Sequence, residues 1–370
     1  MIMETDQKHP QAQLDDLRRQ IDDIDRDIVR LINKRLSIGS QIGRIKEKTG
    51  SMVLDKEREK KVLQRLSRIN SGPADEAVLR YIFSVIMTAT RQIQKSSRIA
   101  YLGPEASYTH IAALNHFKHS GLFVEQRRLR DVFQEVEKKE CAFGVVPVEN
   151  SIEGAVNHTL DLFCEFNLNI VAEHYEHISH DLLSVSGNLD DIQTIYSHPQ
   201  AFAQARGWIR EKLPHAKLVE TSSTSRAARI AAREIHSAAV ASSRAAYIYN
   251  LQVVESKIED FSGNVTRFLV IGNEKMERTG HDKTSIMFAT SHVPGALFAV
   301  LDPVRKAGIN MVKLESRPTK FENWSYYFFM DIEGHFTDRA VADTLEEMKA
   351  HTLFLKVLGA YPVYSSEEIL

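Results

Sequence analysis

The stretch Phe143-Gly-Val-Val-Pro-Val-Glu-Asn-Ser-Ile-Glu-Gly154 carries the first decision about the fold. Phe143 to Val148 is a short apolar, β-branched run of the kind that forms a buried strand. Glu149, Asn150 and Ser151 stand where that strand would end, and Ile152 to Phe166 places Ile152, Val156, Leu160, Leu162 and Phe163 at helical spacing. Asn150 or Ser151 would cap that helix, and a helix start at the carboxyl end of a strand is a ready site for an anionic ligand. An ordinary capped strand-to-helix turn fits the same residues, and the stretch alone leaves both readings open.

Outward from that stretch, 370 residues predict two or three domains with real cores. Lys and Arg number 47 against 49 Asp and Glu, for a formal net charge of -2, so no electrostatic case exists for nucleic acid or a membrane surface. The two cysteines, Cys141 and Cys164, have neither metal-ligand nor redox-pair spacing and read as reduced thiols of a cytoplasmic protein. No metal or cofactor is expected. Met1 to Gln13 is polar and reads as a frayed start rather than a secretory signal or transit peptide. No apolar run approaches the length of a membrane span.

From Leu14 the apolar residues fall at Leu17, Ile21, Ile24, Ile28 and Leu31 and resume at Ile38, Ile42 and Ile45, a three-four rhythm without proline. Position 35, where the rhythm demands an apolar residue, is Arg35, and Lys46 lies eleven residues on, in nearly the same direction around the helix. Two cations on an inward face need acidic partners or an anionic ligand. Asp55 is placed to cap a second helix with Arg58 and Glu59 in its first turns. A cation there opposes the helix dipole, which favours a functional role for Arg58. Ser71-Gly72-Pro73 ends that helix, Asp75 helps start a third, and on it Ile82 and Ile86 define a stripe continued by Thr90 and Gln94. A first helix from Leu14 to about Lys48 is on the order of 50 Å long, and Arg18 and Arg35 on it are about 25 Å apart. They cannot hold one small ligand within one chain, so an antiparallel two-fold pairing, a homodimer, is expected to bring Arg18 of one protomer to Arg35 of the other.

These residues, Leu17-Arg18, Lys34-Arg35, Gly43-Arg44-Ile45-Lys46, Asp55-Lys56-Glu57-Arg58-Glu59 and Gln94, resemble the all-helical chorismate mutase family over Leu14 to about Gln94. The resemblance implies that Arg18 from the partner chain, Arg35 and Arg58 clamp the two carboxylates of chorismate. Lys46 and Gln94 then donate to the ether oxygen, Glu59 holds the ring hydroxyl, and Asp55 and Thr90 line the site. A pericyclic rearrangement needs no acid, base or nucleophile. It needs a folded substrate and donors where negative charge grows on the ether oxygen. An isochorismate pyruvate lyase would share this fold, but the fusion to the rest of the chain argues against it.

After Lys95-Ser96-Ser97 the chain changes to alternating elements: a strand over Arg98 to Leu102 ending in Gly103-Pro104, a helix from about Tyr108, then Leu122–Val124, Val132–Val136 and the Phe143 segment. Such alternation predicts a mainly parallel sheet with sites at the strand carboxyl ends. A second lobe comes next, with Thr194 to Pro199, an Ala-rich helix to Trp208, Lys217 to Thr221, a helix over Ala227 to Ile235 and a strand over Ala238 to Ala241, before the chain returns at Asn264 to Ile271. Gly103-Pro104-Glu105-Ala106-Ser107-Tyr108-Thr109, Pro147-Val148-Glu149-Asn150-Ser151 with Gly154, Ser197-His198-Pro199-Gln200 with Gln204, Ser223-Thr224-Ser225 and Asn264-Val265-Thr266-Arg267-Phe268 resemble prephenate dehydratase. The resemblance implies two α/β lobes of the periplasmic-binding-protein type around a cleft, with Thr266 as proton donor to the leaving hydroxyl. Arg267 helps hold substrate or shape the cleft, and Glu149, Asn150, Ser151, Ser197, Gln204, Ser223 and Thr224 line it. Ala106 stands where many members carry glycine.

Asn273 to Asp282 is polar and charged, the best linker in the chain. Beyond it the order is strand (Thr284–Ala289), helix (Gly295–Ala307), strand (Ile309–Glu315), strand (Trp324–Ile332), helix (Thr337–His351) and strand (Leu353–Leu358), an α+β ferredoxin-like sandwich. Gly295-Ala296-Leu297 and Glu315-Ser316-Arg317-Pro318 resemble the ACT regulatory domain of members that bind phenylalanine. The resemblance implies an effector site between paired protomers.

The expected organisation is thus a helical domain over 1–96, a dehydratase domain over 97–273, and a linker with a regulatory domain over 274–370. Together they imply a homodimer or homotetramer that turns chorismate into prephenate and prephenate into phenylpyruvate, with L-phenylalanine as inhibitor. An arogenate-preferring dehydratase or a catalytically inactive amino-acid sensor is the alternative. If Gln94 donates to the ether oxygen, Gln94→Glu loses mutase activity at neutral pH and recovers it in acid, where the carboxyl is protonated. A flat pH profile of mutase turnover would count against that placement.

Overall fold

A computed structural model describes residues 10–49, 56–94, 97–117, 121–318 and 326–364. The chain divides into two compact units, Met1–Ser97 and Arg98–Leu370.

The first unit is helical: α1 (Pro10–Thr49), α2 (Lys56–Ile69) and α3 (Glu76–Gln94). The 40 residues of α1 span about 60 Å at the α-helical rise. Its apolar stripe stays open to solvent within one chain, with Ile24, Leu31 and Ile45 each more than half exposed. A stripe of that length is what the three-four rhythm builds, and α2 and α3 are too short to cover it.

The second unit begins with β1 (Arg98–Leu102), α4 (Tyr108–His116), β2 (Leu122–Gln126), α5 (Leu129–Glu137), β3 (Phe143–Asn150), β4 (Gly154–Ala155), α6 (Asn157–Glu165) and β5 (Asn169–His177). The second lobe holds β6 (Asp181–Ser184), β7 (Thr194–Ser197), α7 (Pro199–Gln204), α8 (Arg206–Lys212), β8 (Lys217–Glu220), α9 (Thr224–Ala231), β9 (Ser237–Ala241), α10 (Ser243–Tyr249) and β10 (Gln252–Glu255). The chain then returns as β11 (Val265–Gly272) and continues with β12 (Asp282–Ala289), α11 (Ala296–Lys306), β13 (Met311–Pro318), β14 (Tyr326–Glu333), α12 (Arg339–Lys349) and β15 (Phe354–Pro362).

Both lobe sheets are mixed rather than mainly parallel. In the first, β2-β1-β3-β11-β5, the parallel trio β2, β1 and β3 meets β11 running antiparallel to both β3 and β5. In the second, β10-β6-β9-β7-β8, strands β9, β7 and β8 are parallel, and β6 runs antiparallel to both of its neighbours, β9 and β10. In the first sheet the cause is the crossing strand: β11 comes back from the second lobe and inserts between β3 and β5, antiparallel to both.

The helix expected from Ile152 starts later, at Asn157. Asn150 Oδ1 accepts the backbone N–H groups of Ile152 and Glu153, which closes a turn instead of a helix. Gly154, at φ 81°, then lets β4 fold back on β3.

The third sheet, β13-β14-β12-β15, is antiparallel throughout. One face packs Ile286, Phe288, Met330 and Ile332 against Val300 and Val304 of α11 and Val341, Leu345 and Met348 of α12. Through the other face Met287, Phe329, Leu358 and Tyr361 share a core with Val146, Val148, Leu160, Ile170, Leu269 and Ile271 of the first lobe. The alternation of side chains along each strand sorts them to these two faces.

Charge pairs stitch that second face. Arg267, 6% exposed, donates from Nε to Glu173 at 2.9 Å, from Nη2 to Tyr361 Oη at 3.0 Å, and pairs through Nη1 with Asp331 at 2.8 Å. Burial works to lower the Arg267 guanidinium, but the surrounding Tyr361, Asp331 and Glu173 outweigh it and hold the group above its ordinary value. Glu173 also takes Lys283 Nζ at 2.9 Å, Lys313 reaches Glu149 at 2.7 Å, and Arg317 reaches Asp161 at 3.1 Å. Lys356 donates to the carbonyls of Phe163 and Phe166 at the end of α6, the pole of the helix dipole that attracts a cation.

Two substitutions test this packing. Gly359, at φ 152°, lies so close to β5 that an added Cβ would stand 2.2 Å from the Ile170 carbonyl oxygen. Gly359→Ala is therefore expected to cost roughly 1–3 kcal/mol or more in a denaturant melt, and an unchanged midpoint would refute the close approach. Glu173→Gln leaves Arg267 and Lys283 buried and short of an anion, with an expected loss of about 3 kcal/mol on the same measurement. A loss below about 0.5 kcal/mol, as for an exposed pair, would contradict it.

Candidate active sites

A cleft of about 510 Å³ opens between the two lobes of the second unit, bordered by β3, β11 and the starts of α4, α7 and α9. Its polar centre is built by two paired strands. Thr266 on β11 stands opposite Asn150 on β3, and Arg267 opposite Glu149. The pairing slips at Val148, so Phe268 stands opposite Pro147. This one-residue bulge lets both Pro147 and Asn150 face the cleft, together with Thr266 and Phe268.

Asn150 organises the centre. Its oxygen is committed to the turn N–H groups of Ile152 and Glu153, at 3.0 and 3.1 Å, so its Nδ2 must be the donor to Asn264 Oδ1 at 2.6 Å and Thr266 Oγ1 at 2.8 Å. The Thr266 oxygen thus accepts, and among the described residues no acceptor takes the Thr266 proton. A hydroxyl in that state can give its proton to a leaving group, and the donation from Asn150 stabilises the charge that develops on it. Thr266, Asn150 and Asn264 are all buried.

Among the described residues that line the cleft none is Lys or Arg. What it offers an anion is helix starts: Ser107, Tyr108 and Thr109 at the head of α4, Ala155 and Val156 before α6, and Ser223 and Thr224 at the head of α9 all line it.

Asn150, Gln204, Ser223, Thr224 and Thr266, which the resemblance to prephenate dehydratase assigns to one site, line this cleft. Four other expectations are corrected. Glu149 and Arg267 are strand neighbours of Asn150 and Thr266, and alternation sends them to the opposite face, into the ion pairs with Lys313, Glu173 and Asp331. Ser197 is fully buried and donates to the Val240 carbonyl at 2.7 Å, pinning β7 to β9. Ser151 is exposed and accepts the Val265 N–H at 3.0 Å, which ties the end of β3 to the start of β11. Sequence reasoning gave no role to Asn264 or His180, both cleft residues. The Asn150–Asn264 contact joins positions 114 apart, which no local pattern signals.

In the helical unit Arg35 and Thr90 come together: Arg35 Nη1 donates to Thr90 Oγ1 and, at 3.3 Å, to the Ile86 carbonyl. Burial lowers the Arg35 guanidinium from its ordinary value. Arg18 is exposed on α1 beside Asp15 at 3.6 Å. Asp55 and the side chains of Lys46, Arg58, Glu59 and Gln94 lie outside the described residues.

At the start of α11 a recess of about 460 Å³ is lined by Gly295, Ala296 and Ala299 and by Ala350 to Leu353. Gly295 holds the helix entry in the left-handed region at φ 82°. Leu297 packs toward the core of the third sheet instead. The segment Glu315-Ser316-Arg317-Pro318 is also absent from the recess lining: it is the end of β13, and Arg317 is spent on Asp161 of α6.

Comparison with known proteins agrees with this division. Residues 17–95 match the family described as Chorismate mutase type II, and residues 99–276 match Prephenate dehydratase. The chain is 43% identical over 354 residues to the bifunctional chorismate mutase/prephenate dehydratase of Aquifex aeolicus (strain VF5), covering 95% of this chain and 98% of that one. It is 39% identical over 358 residues to the protein of the same description from Pseudomonas aeruginosa, at 95% and 98% coverage. Among solved structures it is similar to a prephenate dehydratase from Arthrobacter aurescens in complex with L-Phe, with 32% identity and a TM-score of 0.67 over 72% of this chain and 90% of that one. The chain belongs to the family of bifunctional chorismate mutase/prephenate dehydratases.

Proposed function

We propose that this chain makes phenylpyruvate from chorismate in two steps at two separate sites and that L-phenylalanine restrains it. The observation that carries the second step is the Asn150–Thr266 contact in the cleft, which leaves a hydroxyl proton free for a departing group. Prephenate loses carbon dioxide and its ring hydroxyl together. The bond to the carboxylate breaks, its electrons move into the ring, and the hydroxyl leaves as water with the Thr266 proton. Aromatisation drives the step, so the cleft need only assist the leaving group and exclude water. Gln204, Ser223 and Thr224 hold the substrate, with its carboxylates toward the helix starts.

The first step belongs to the helical unit. Arg35, beside Thr90, takes a chorismate carboxylate together with Arg58 and the partner protomer's copy of Arg18, and Lys46 and Gln94 meet the ether oxygen, with Glu59 and Asp55 around the ring. The bare apolar stripe of α1 supports a dimer through this unit, because so many exposed aliphatic side chains at helical spacing call for a second helix.

The remaining readings concern the end of the chain and its setting. The β-α-β-β-α-β order and the 13-14-12-15 sheet support a ferredoxin-like ACT domain over 274–370, after a dehydratase domain over 97–273 and a mutase domain over 1–96. Phenylalanine takes the recess at α11, its carboxylate toward the helix start and its ring toward the exposed Val293 and Leu353. Glu315, Ser316, Arg317 and Pro318 act from β13 through the contact with α6 rather than on the effector. No described helix is long and apolar enough to cross a membrane, and neither cysteine is in a disulfide, which supports a cytoplasmic setting. An inactive sensor has no use for the Thr266 arrangement, and nothing favours arogenate as substrate.

Given chorismate alone, the purified protein is expected to release phenylpyruvate. Thr266→Ala should instead accumulate prephenate, with dehydratase turnover down by about 100-fold or more and mutase turnover unchanged. Near-normal phenylpyruvate formation by that variant would remove Thr266 from the chemistry.

A further inference from the structure

His180 lies at the junction of the first lobe and the second, lines the cleft and is 3% exposed. Its Nε2 stands 2.9 Å from Gln204 Oε1 and its Nδ1 3.2 Å from Tyr108 Oη. A ring between such neighbours can carry its proton on either nitrogen, and each of the three amides beyond it can be turned two ways. Backbone N–H groups at the Asn150 end of the network decide the amides and the Nε2 side of the ring.

The N–H groups of Ile152 and Glu153 can only donate, so the Asn150 atom that they meet is its oxygen. The Asn150 nitrogen then faces Asn264, whose facing atom must be oxygen. That turns the Asn264 nitrogen to Gln204, at 3.1 Å, and the Gln204 atom there must be oxygen as well. The same oxygen faces His180 Nε2, so the ring carries its proton on Nε2; Tyr108 Oη, which gives its single proton to the Ser179 carbonyl, stands beside a bare Nδ1. Burial lowers His180 from the ordinary histidine value against the Gln204 bond and the charges of Glu259 and Asp181, in keeping with a neutral ring.

We propose that His180 is a positioning residue of the dehydratase site: by giving its Nε2 proton to Gln204 Oε1 it turns the Gln204 N–H₂ group toward the substrate. It also closes the run of hydrogen bonds through Asn264 and Asn150 that ends on Thr266. The inference rests on the reading of the cleft as a prephenate site. With both Gln204 acceptor positions filled, the cleft meets a dianionic substrate with an amide donor and a hydroxyl donor. A residue at position 180 that could only accept would draw the Gln204 N–H₂ group to itself and present the amide oxygen to the substrate carboxylates. Asn264 would then lose its acceptor, and the support behind Thr266 would loosen.

The test uses the full-length protein in three forms: unaltered, His180→Leu and His180→Gln. Selective ¹⁵N labelling of histidine in the unaltered protein should show a neutral His180 ring protonated on Nε2 with a bare Nδ1. His180→Leu is expected to lower kcat/KM for prephenate about tenfold or more, with kcat lowered and KM raised, while mutase turnover stays as it was. His180→Gln restores an N–H donor and should recover most of the loss, which a purely packing role for the ring would not produce. A ring protonated on Nδ1, dehydratase kinetics within twofold of normal in His180→Leu, or equal losses in the Leu and Gln variants would each overturn the proposal. Should His180→Leu fail to fold, seen as a lost cooperative melt of the second unit by circular dichroism, the ring tautomer decides alone. If the unaltered protein leaves prephenate intact, the dehydratase reading itself has failed, and the labelling then speaks only to the hydrogen-bond geometry.

Discussion

Everything in the second unit depends on the antiparallel pairing of β3 with β11. Side chains along a strand alternate between faces, so two neighbouring residues on one strand serve two different environments. On β3 the neighbours are Glu149 and Asn150, and on β11 they are Arg267 and Thr266, with like facing like across the pair. One face of this short ladder is the cleft. The other is the ionic face of the third sheet, where Arg267 meets Glu173, Asp331 and Tyr361.

That sharing of a backbone joins stability to chemistry. A buried guanidinium is tolerable only while its anions stay in place, since an unpartnered charge in such surroundings costs several kcal/mol. Arg267 is therefore a fixed point, and the peptide that joins it to Thr266 is held on both sides. The third sheet, by supplying Asp331 and Lys313, grips the same strands that carry Thr266 and Asn150. A shift of that sheet would be felt first at Glu149 and Arg267, one residue away from the cleft on each strand.

The two units answer two different chemical problems. In the helical unit, cations at wrong positions of an apolar rhythm suit a rearrangement that makes no covalent intermediate and needs only charge complementarity. The cleft has no Lys or Arg among its described lining residues and is lined by helix starts, amides and hydroxyls instead. Neutral donors suit an elimination in which a proton must be delivered, because amides and hydroxyls can be aimed by hydrogen bonds to the backbone.

The sequence by itself determined the helical first unit, the strand at Phe143–Val148, the order of elements in the third sheet, and the meeting of Asn150, Gln204, Ser223, Thr224 and Thr266 at one cleft. The elements come from periodicity, and the shared cleft comes from the resemblance to prephenate dehydratase. Only the tertiary structure decided which way each strand runs and which face each neighbour takes. The mixed sheet arises because β11 returns from another lobe, and the exile of Glu149, Arg267 and Ser197 from the cleft comes from strand alternation and from a bulge at Val148 that no local pattern announces. The Asn150–Asn264 and His180–Gln204 contacts join residues 114 and 24 positions apart, and the tautomer of His180 is set by backbone N–H groups on a different strand turn. Hydrogen-bond direction is a property of the closed network, so it exists only once the fold has brought the last partner into place.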